Sequence, residues 1–126
     1  MAGTLVANTI NTDTGLFSTN NAYNGIAKAW VQFAGSTGTI AGSFNVSSIT
    51  RTSTGFYTVN FTTAMSNANY ASAVSVGDGL GSGRFAFANY VPSTGGAPTT
   101  TAFYMGTSTF SGAPADYAYT SAIIFD

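Results

Sequence analysis

A chain of 126 residues, 44% of them apolar, is long enough for one domain with a core of its own. Charged residues make up 6%, against roughly 25% in an ordinary soluble domain, the net charge is −1, and histidine, cysteine and glutamate are absent. That rules out disulfides and thiolate chemistry, and disfavours nucleic acid, whose phosphates call for clustered Lys and Arg. It also leaves acid–base and nucleophilic catalysis almost nothing to draw on.

Residues 1–26 read as an N-terminal arm and residues 27–126 as a β-sandwich domain. The arm is rich in Thr and Asn and carries Leu5, Val6, Ile10, Leu16 and Phe17 with no sustained period. It has neither the basic start nor the apolar run of a secretory signal. No stretch of the chain approaches the roughly 18 apolar residues of a membrane helix. Synthesis in a cytoplasm and no membrane insertion are therefore expected.

From Lys28 the pattern alternates. Residues 28–33 place Ala29, Val31 and Phe33 on one face and Trp30 on the other. A turn follows at 35–38. Residues 40–50 hold two apolar beats whose parity changes between them, which predicts a bend or bulge near Asn45. Residues 51–55 form a turn ending on Gly. The clearest strand is 56–61, with Tyr57, Val59 and Phe61 sharing a face. Residues 70–76 set Tyr70, Val74 and Val76 against Ala71, Ala73 and Ser75. Glycines fill 77–83, and Phe85 and Phe87 mark 84–91. After a turn cluster at 92–98, Phe103 and Met105 mark 99–105, and a loop at 106–114 carries Phe110. The last segment, 116–125, puts Tyr117, Tyr119, Ser121, Ile123 and Phe125 on one face. Seven or eight short strands at this spacing predict an all-β fold, a single antiparallel β-sandwich, jelly-roll-like.

Candidate sites are sparse. The glycines at 77–83 lack the following helix and Lys of a phosphate cradle, and read as a hairpin loop. Asp13 and Asp78 sit among Asn, Thr or Gly, yet one carboxylate per loop is thin for Ca²⁺, and each reads as a turn former. A serine nucleophile would have to rely on Lys28, the only lysine. Asn45 and Asn60 head glycosylation-type triplets, which chance produces in a chain so rich in Asn and Thr. The aromatics Trp30, Tyr90, Tyr104, Tyr117 and Tyr119 read as packing residues before a binding platform, because a small sandwich needs large inward side chains. No catalytic residue, cofactor or metal is expected.

Four strings carry a resemblance: Lys28-Ala29-Trp30-Val31-Gln32-Phe33, residues 43–50 (Ser-Phe-Asn-Val-Ser-Ser-Ile-Thr), residues 55–61 (Gly-Phe-Tyr-Thr-Val-Asn-Phe) and residues 65–70 (Met-Ser-Asn-Ala-Asn-Tyr). Together with the closing Ala122-Ile123-Ile124-Phe125-Asp126, they resemble a module of tailed-bacteriophage virion proteins often labelled tail fibre. The resemblance covers residues 27–76 well and the rest loosely. It implies a non-enzymatic protein of the virion surface, all-β and homotrimeric, and it assigns no catalytic or ligand residue. Three readings follow. In the first, the protein is a capsid decoration or cement protein whose Leu5, Val6, Ile10, Leu16 and Phe17 contact the major capsid protein, another virion protein or a neighbouring protomer. In the second, it is the terminal knob of a tail or head fibre that binds a host surface glycan through the loops 77–83, 92–98 and 106–114, with Asp78, Tyr90, Tyr104 and Phe110 as candidate contacts. The third, a hydrolytic tail spike, is disfavoured by the missing residues. The short arm, with no heptads or collagen-like repeat, suits a decoration protein or a terminal knob better than a long receptor-binding fibre.

Overall fold

A computed structural model describes residues 3, 9–12, 15–18, 25–78, 83–89 and 97–126, with 9–12 and 15–18 described by backbone alone. Two short strands lie within the arm, β1 (Thr9–Thr12) and β2 (Gly15–Ser18), paired as an antiparallel hairpin. Eight more follow: β3 (Ala29–Ala34), β4 (Thr39–Phe44), β5 (Val46–Ser53), β6 (Phe56–Phe61), β7 (Ala71–Gly77), β8 (Arg84–Ala88), β9 (Ala102–Thr109) and β10 (Tyr119–Phe125). They form two four-stranded antiparallel sheets, ordered β4-β3-β10-β7 and β5-β6-β9-β8. The protein is thus an all-β antiparallel sandwich of eight strands, as the turn spacing predicts.

The core lies between the sheets. One sheet supplies Ala29, Val31, Phe33, Ala122 and Ile124; the other supplies Val46, Tyr57, Val59, Phe61, Phe103 and Met105. The predicted inward faces of β3 and β6 are the buried ones, and Tyr70, Val74 and Val76 turn inward while Ala71, Ala73 and Ser75 are exposed. Aromatic edges lock the interior. Phe33 meets Tyr57 edge-on at 5.0 Å, and Tyr70 meets Phe61 at 5.9 Å and Phe103 at 6.3 Å, the geometry that ring quadrupoles favour. The Tyr70 hydroxyl donates to the carbonyls of Thr99 and Ala102, so its polar end is satisfied inside.

The predicted break falls on Asn45, which takes a left-handed φ of 55° and carries the chain from β4 in one sheet to β5 in the other. Asn tolerates this region because its short side chain hydrogen-bonds locally. Its amide donates to the carbonyls of Lys28 and Thr63 and accepts from the Thr63 amide, stapling three segments at the corner. Asn60 donates to Ser48 and Thr50 across the β5–β6 pair. Both triplet asparagines therefore have structural work for their amides.

The alternation read for β10 is present, and its face rich in large residues points out: Thr120, Ala122 and Ile124 are buried, while Tyr119, Ile123 and Phe125 are exposed. The core side of β10 needs small or aliphatic groups, because Phe33, Phe103 and Met105 already fill the space between the sheets. Strand β9 runs on to Thr109, beyond the expected end at Met105. Gly106, Thr107 and Ser108 are buried there, as suits a central strand covered on both faces.

Candidate interaction surfaces

The densest polar cluster in the described residues centres on Asp116, in the segment before β10. Its carboxylate accepts from Arg51 at 2.6 Å, from the Gly55 amide at 2.8 Å and from the Tyr57 hydroxyl at 2.7 Å. Gly55 continues the cluster, since its carbonyl accepts from the Thr107 amide. Gly35 donates to the Tyr117 carbonyl beside it. Both oxygens of Asp116 are thereby committed to Arg51 on β5, Gly55 in the β5–β6 turn and Tyr57 on β6, tying these to the entry to β10. A carboxylate occupied in this way is a staple, not a general base. Nothing in the sequence marks the cluster, because Arg51 and Asp116 lie 65 positions apart.

The charges around the cluster fix its pH response. Burial alone pushes the Asp116 carboxyl up, but the bonds from Arg51, Gly55 and Tyr57 outweigh it and hold the group below the ordinary 3.8. Burial, then the bond to Asp116, pushes the Tyr57 hydroxyl far above the ordinary 10.0. Burial, with the nearby Tyr104, pushes Tyr70 up to about 12. A raised tyrosine stabilises the fold fully below its unfolded value and loses that contribution as pH rises through the folded one; a lowered carboxyl is the mirror case. With no histidine or cysteine, no side chain ordinarily titrates in between. The thermal midpoint is therefore expected to stay flat from about pH 5 to 9 and to fall at both ends. Scanning calorimetry across pH checks this, and a midpoint sloping through neutrality would contradict it.

The second ion pair joins Arg84 to Asp78, and the Arg84 guanidinium also lies over the Tyr117 ring, 5.2 Å from its centre. Four of the seven charged residues are thus paired with one another. Asp78, expected as an exposed loop contact, is instead half-buried and turned onto Arg84. Tyr104, named as a contact residue within the segment 99–105, sits half-buried within β9 opposite Thr58. Phe110 does lie at an exposed turn, 78% accessible, and stacks on the exposed Phe85 at 6.2 Å. A cleft of about 400 Å³ beside them is lined by Arg84, Thr109, Phe110, Ser111 and Tyr117. Tyr90 and the arm residues Leu5 and Val6 lie outside the described residues. Ile10, Leu16 and Phe17 lie in the β1–β2 hairpin, described by its backbone alone.

The larger feature is the outer face of the β4-β3-β10-β7 sheet. Its register sets Phe44 opposite Trp30, Trp30 opposite Ile123 and Ile123 opposite Ala73, an apolar row crossing all four strands. Phe44, Trp30 and Ile123 are 54%, 42% and 41% exposed, and Tyr119 and Phe125 flank them on the same face. The Trp30 ring leans toward Gly42 on β4, where a Cβ would stand 3.4 Å from it. At one end of the face, Lys28 and Asp126 join Phe44 around an open cleft of about 630 Å³. Exposed apolar rows of this kind mark contact surfaces.

Comparison with protein families, with curated proteins and with solved structures finds no match to this chain.

Among the described residues no three metal-ligating side chains come together, and no helix is long and apolar enough to cross a membrane. What the described side chains offer is contact area: an apolar sheet face, an aromatic patch at Phe85 and Phe110, and few charges to oppose association.

Proposed function

We propose that the chain is a non-enzymatic structural protein of a phage virion surface, a decoration protein that packs against the shell and against other subunits. The observation that supports this best is a surface that spends four of its seven charges on internal ion pairs while leaving Phe44, Trp30, Tyr119, Ile123 and Phe125 exposed. A free monomer with such a surface has little protection against association; a subunit of an assembly uses it. The phage-like strings of residues 27–76 supply the setting. The arm, with Leu5, Val6, Ile10, Leu16 and Phe17, is the segment assigned to the shell, and many weak contacts from a multimer add up through effective concentration.

The Phe85–Phe110 stack favours a second reading, the glycan-binding tip of a fibre. Exposed rings beside an arginine and the hydroxyls of Thr109 and Ser111 suit the apolar faces and hydroxyls of a sugar. One experiment separates the two. Purified chain is offered to phage particles that lack it and, in parallel, to host envelopes. Saturable attachment to particles with none to envelopes supports decoration. Attachment to envelopes alone, lost in Phe110→Ala, replaces it with the fibre reading.

A further inference from the structure

The outer face of the β4-β3-β10-β7 sheet has a shape that fits itself. Its large side chains stand on β4, β3 and β10, as Phe44, Trp30, Ile123, Tyr119 and Phe125. The remaining edge, β7, is a shelf of Ala71, Ala73 and Ser75, all exposed. A twofold axis running parallel to the strands, above the middle of the sheet, lays β4 of one copy over β7 of the other and β3 over β10. The register then sets Phe44 against Ala73 of the second copy, and Trp30 against its Ile123, because all four share one row. Phe44 meets the shelf twice, once on each side of the axis, and Trp30 stacks on Ile123 between them.

We infer that this face is the interface of a face-to-face homodimer, with a second copy of this chain as its occupant. Four strands about 4.8 Å apart and about seven residues long cover roughly 430 Å² in plan. Two copies thus cover roughly 860 Å² in plan alone, before the added area of the standing side chains, against roughly 1,200 Å² of total buried surface for a small specific interface. The face itself carries no charge. Lys28 and Asp126 sit at one end, beside Phe44, as a polar rim around an apolar centre. Sheets stacked in this way keep their strands aligned within about 30°. The symmetry is isologous and differs from the threefold arrangement that the phage resemblance implies. The inference does not depend on the virion reading, since it concerns only how this face is covered.

The test uses the full chain in light scattering, together with the fluorescence of its single tryptophan, Trp30. The mass is expected at twice 12.8 kDa, with Trp30 emission shifting to the red on dilution as the face reopens to water. Ile123→Lys puts a charge at the centre of the face on a side chain that points away from the core. It is expected to weaken the dimer at least about thirtyfold while thermal unfolding stays cooperative. Ala73→Tyr fills the shelf that receives Phe44 and is expected to weaken it as well. A chain that remains monomeric at high concentration, or an oligomer of any size that both substitutions leave intact, would overturn the inference. If Ile123→Lys fails to fold, Ala73→Tyr on the exposed edge strand decides.

Discussion

Asp116→Ala is expected to lower the stability of the sandwich by about 2–4 kcal/mol, because it removes the acceptor of two groups, the Gly55 amide and the Tyr57 hydroxyl, of which only Tyr57 keeps a second partner, the Thr107 side chain. The Tyr57 ring is buried against Phe33, and Gly55 is a buried residue of the β5–β6 turn. Each loses its acceptor, at about 1–3 kcal/mol for a buried orphan. Arg51 loses its partner too, but it lies at the surface and is solvated again by water. For a domain of this length the melting midpoint should fall by about 10 °C. Asp116→Asn keeps one acceptor oxygen and should fall less. It should also remove the acid-side loss of stability, since no proton can then displace Arg51. A midpoint unchanged in Asp116→Ala would mean that the cluster is solvated in the native state.

Gly55→Ala is expected to be as damaging, by a different route. The position has φ of 73°, a conformation that costs an L side chain about 1 kcal/mol or more. A Cβ there would also stand 2.5 Å from the Thr107 carbonyl oxygen and 2.8 Å from the Ala115 nitrogen, both backbone atoms. Backbone cannot swing aside as a side-chain tip can, so the turn must open, and with it the bond from the Thr107 amide to the Gly55 carbonyl. Strain and displacement together amount to about 2–5 kcal/mol. Denaturant titration reads this directly. Gly112→Ala, also at positive φ but with nothing within 4 Å of its Cβ, is the control and should cost only the conformational part.

Both effects arise at one corner, and that corner shows where reading the sequence stops. Strand positions were legible because the period of two is local: Ala29, Val31 and Phe33, or Tyr57, Val59 and Phe61, reveal their shared face within six residues. The break at Asn45 was legible for the same reason, as a change of parity. The Asp116 cluster was not, because it joins residues that come together only after β6, β9 and the entry to β10 are stacked. The outward face of β10 was hidden by a symmetric pattern. Tyr119, Ile123 and Phe125 alternate with Thr120, Ala122 and Ile124, and hydropathy alone favours burying the larger set. The opposite sheet decides, since Phe103 and Met105 leave room only for the smaller one. The β1–β2 hairpin escaped notice because four-residue strands separated by two residues give too few beats to count. The turn of Asp78 onto Arg84 was not legible, because an ion pair is a tertiary fact.

The burial that sends the large residues of β10 outward also creates the surface on which the functional reading rests. A core already full on one side leaves Ile123 and Phe125 to face out, and register aligns Ile123 with Trp30 and Phe44. Few charges remain to keep that face in water as a monomer.

The most direct test of the account is the amount of this chain in purified phage particles, measured by quantitative mass spectrometry against the major capsid protein. The account predicts a copy number that scales with the capsid lattice, of the same order as the major capsid protein. Absence from the particle, or a handful of copies far below the capsid count, would contradict it.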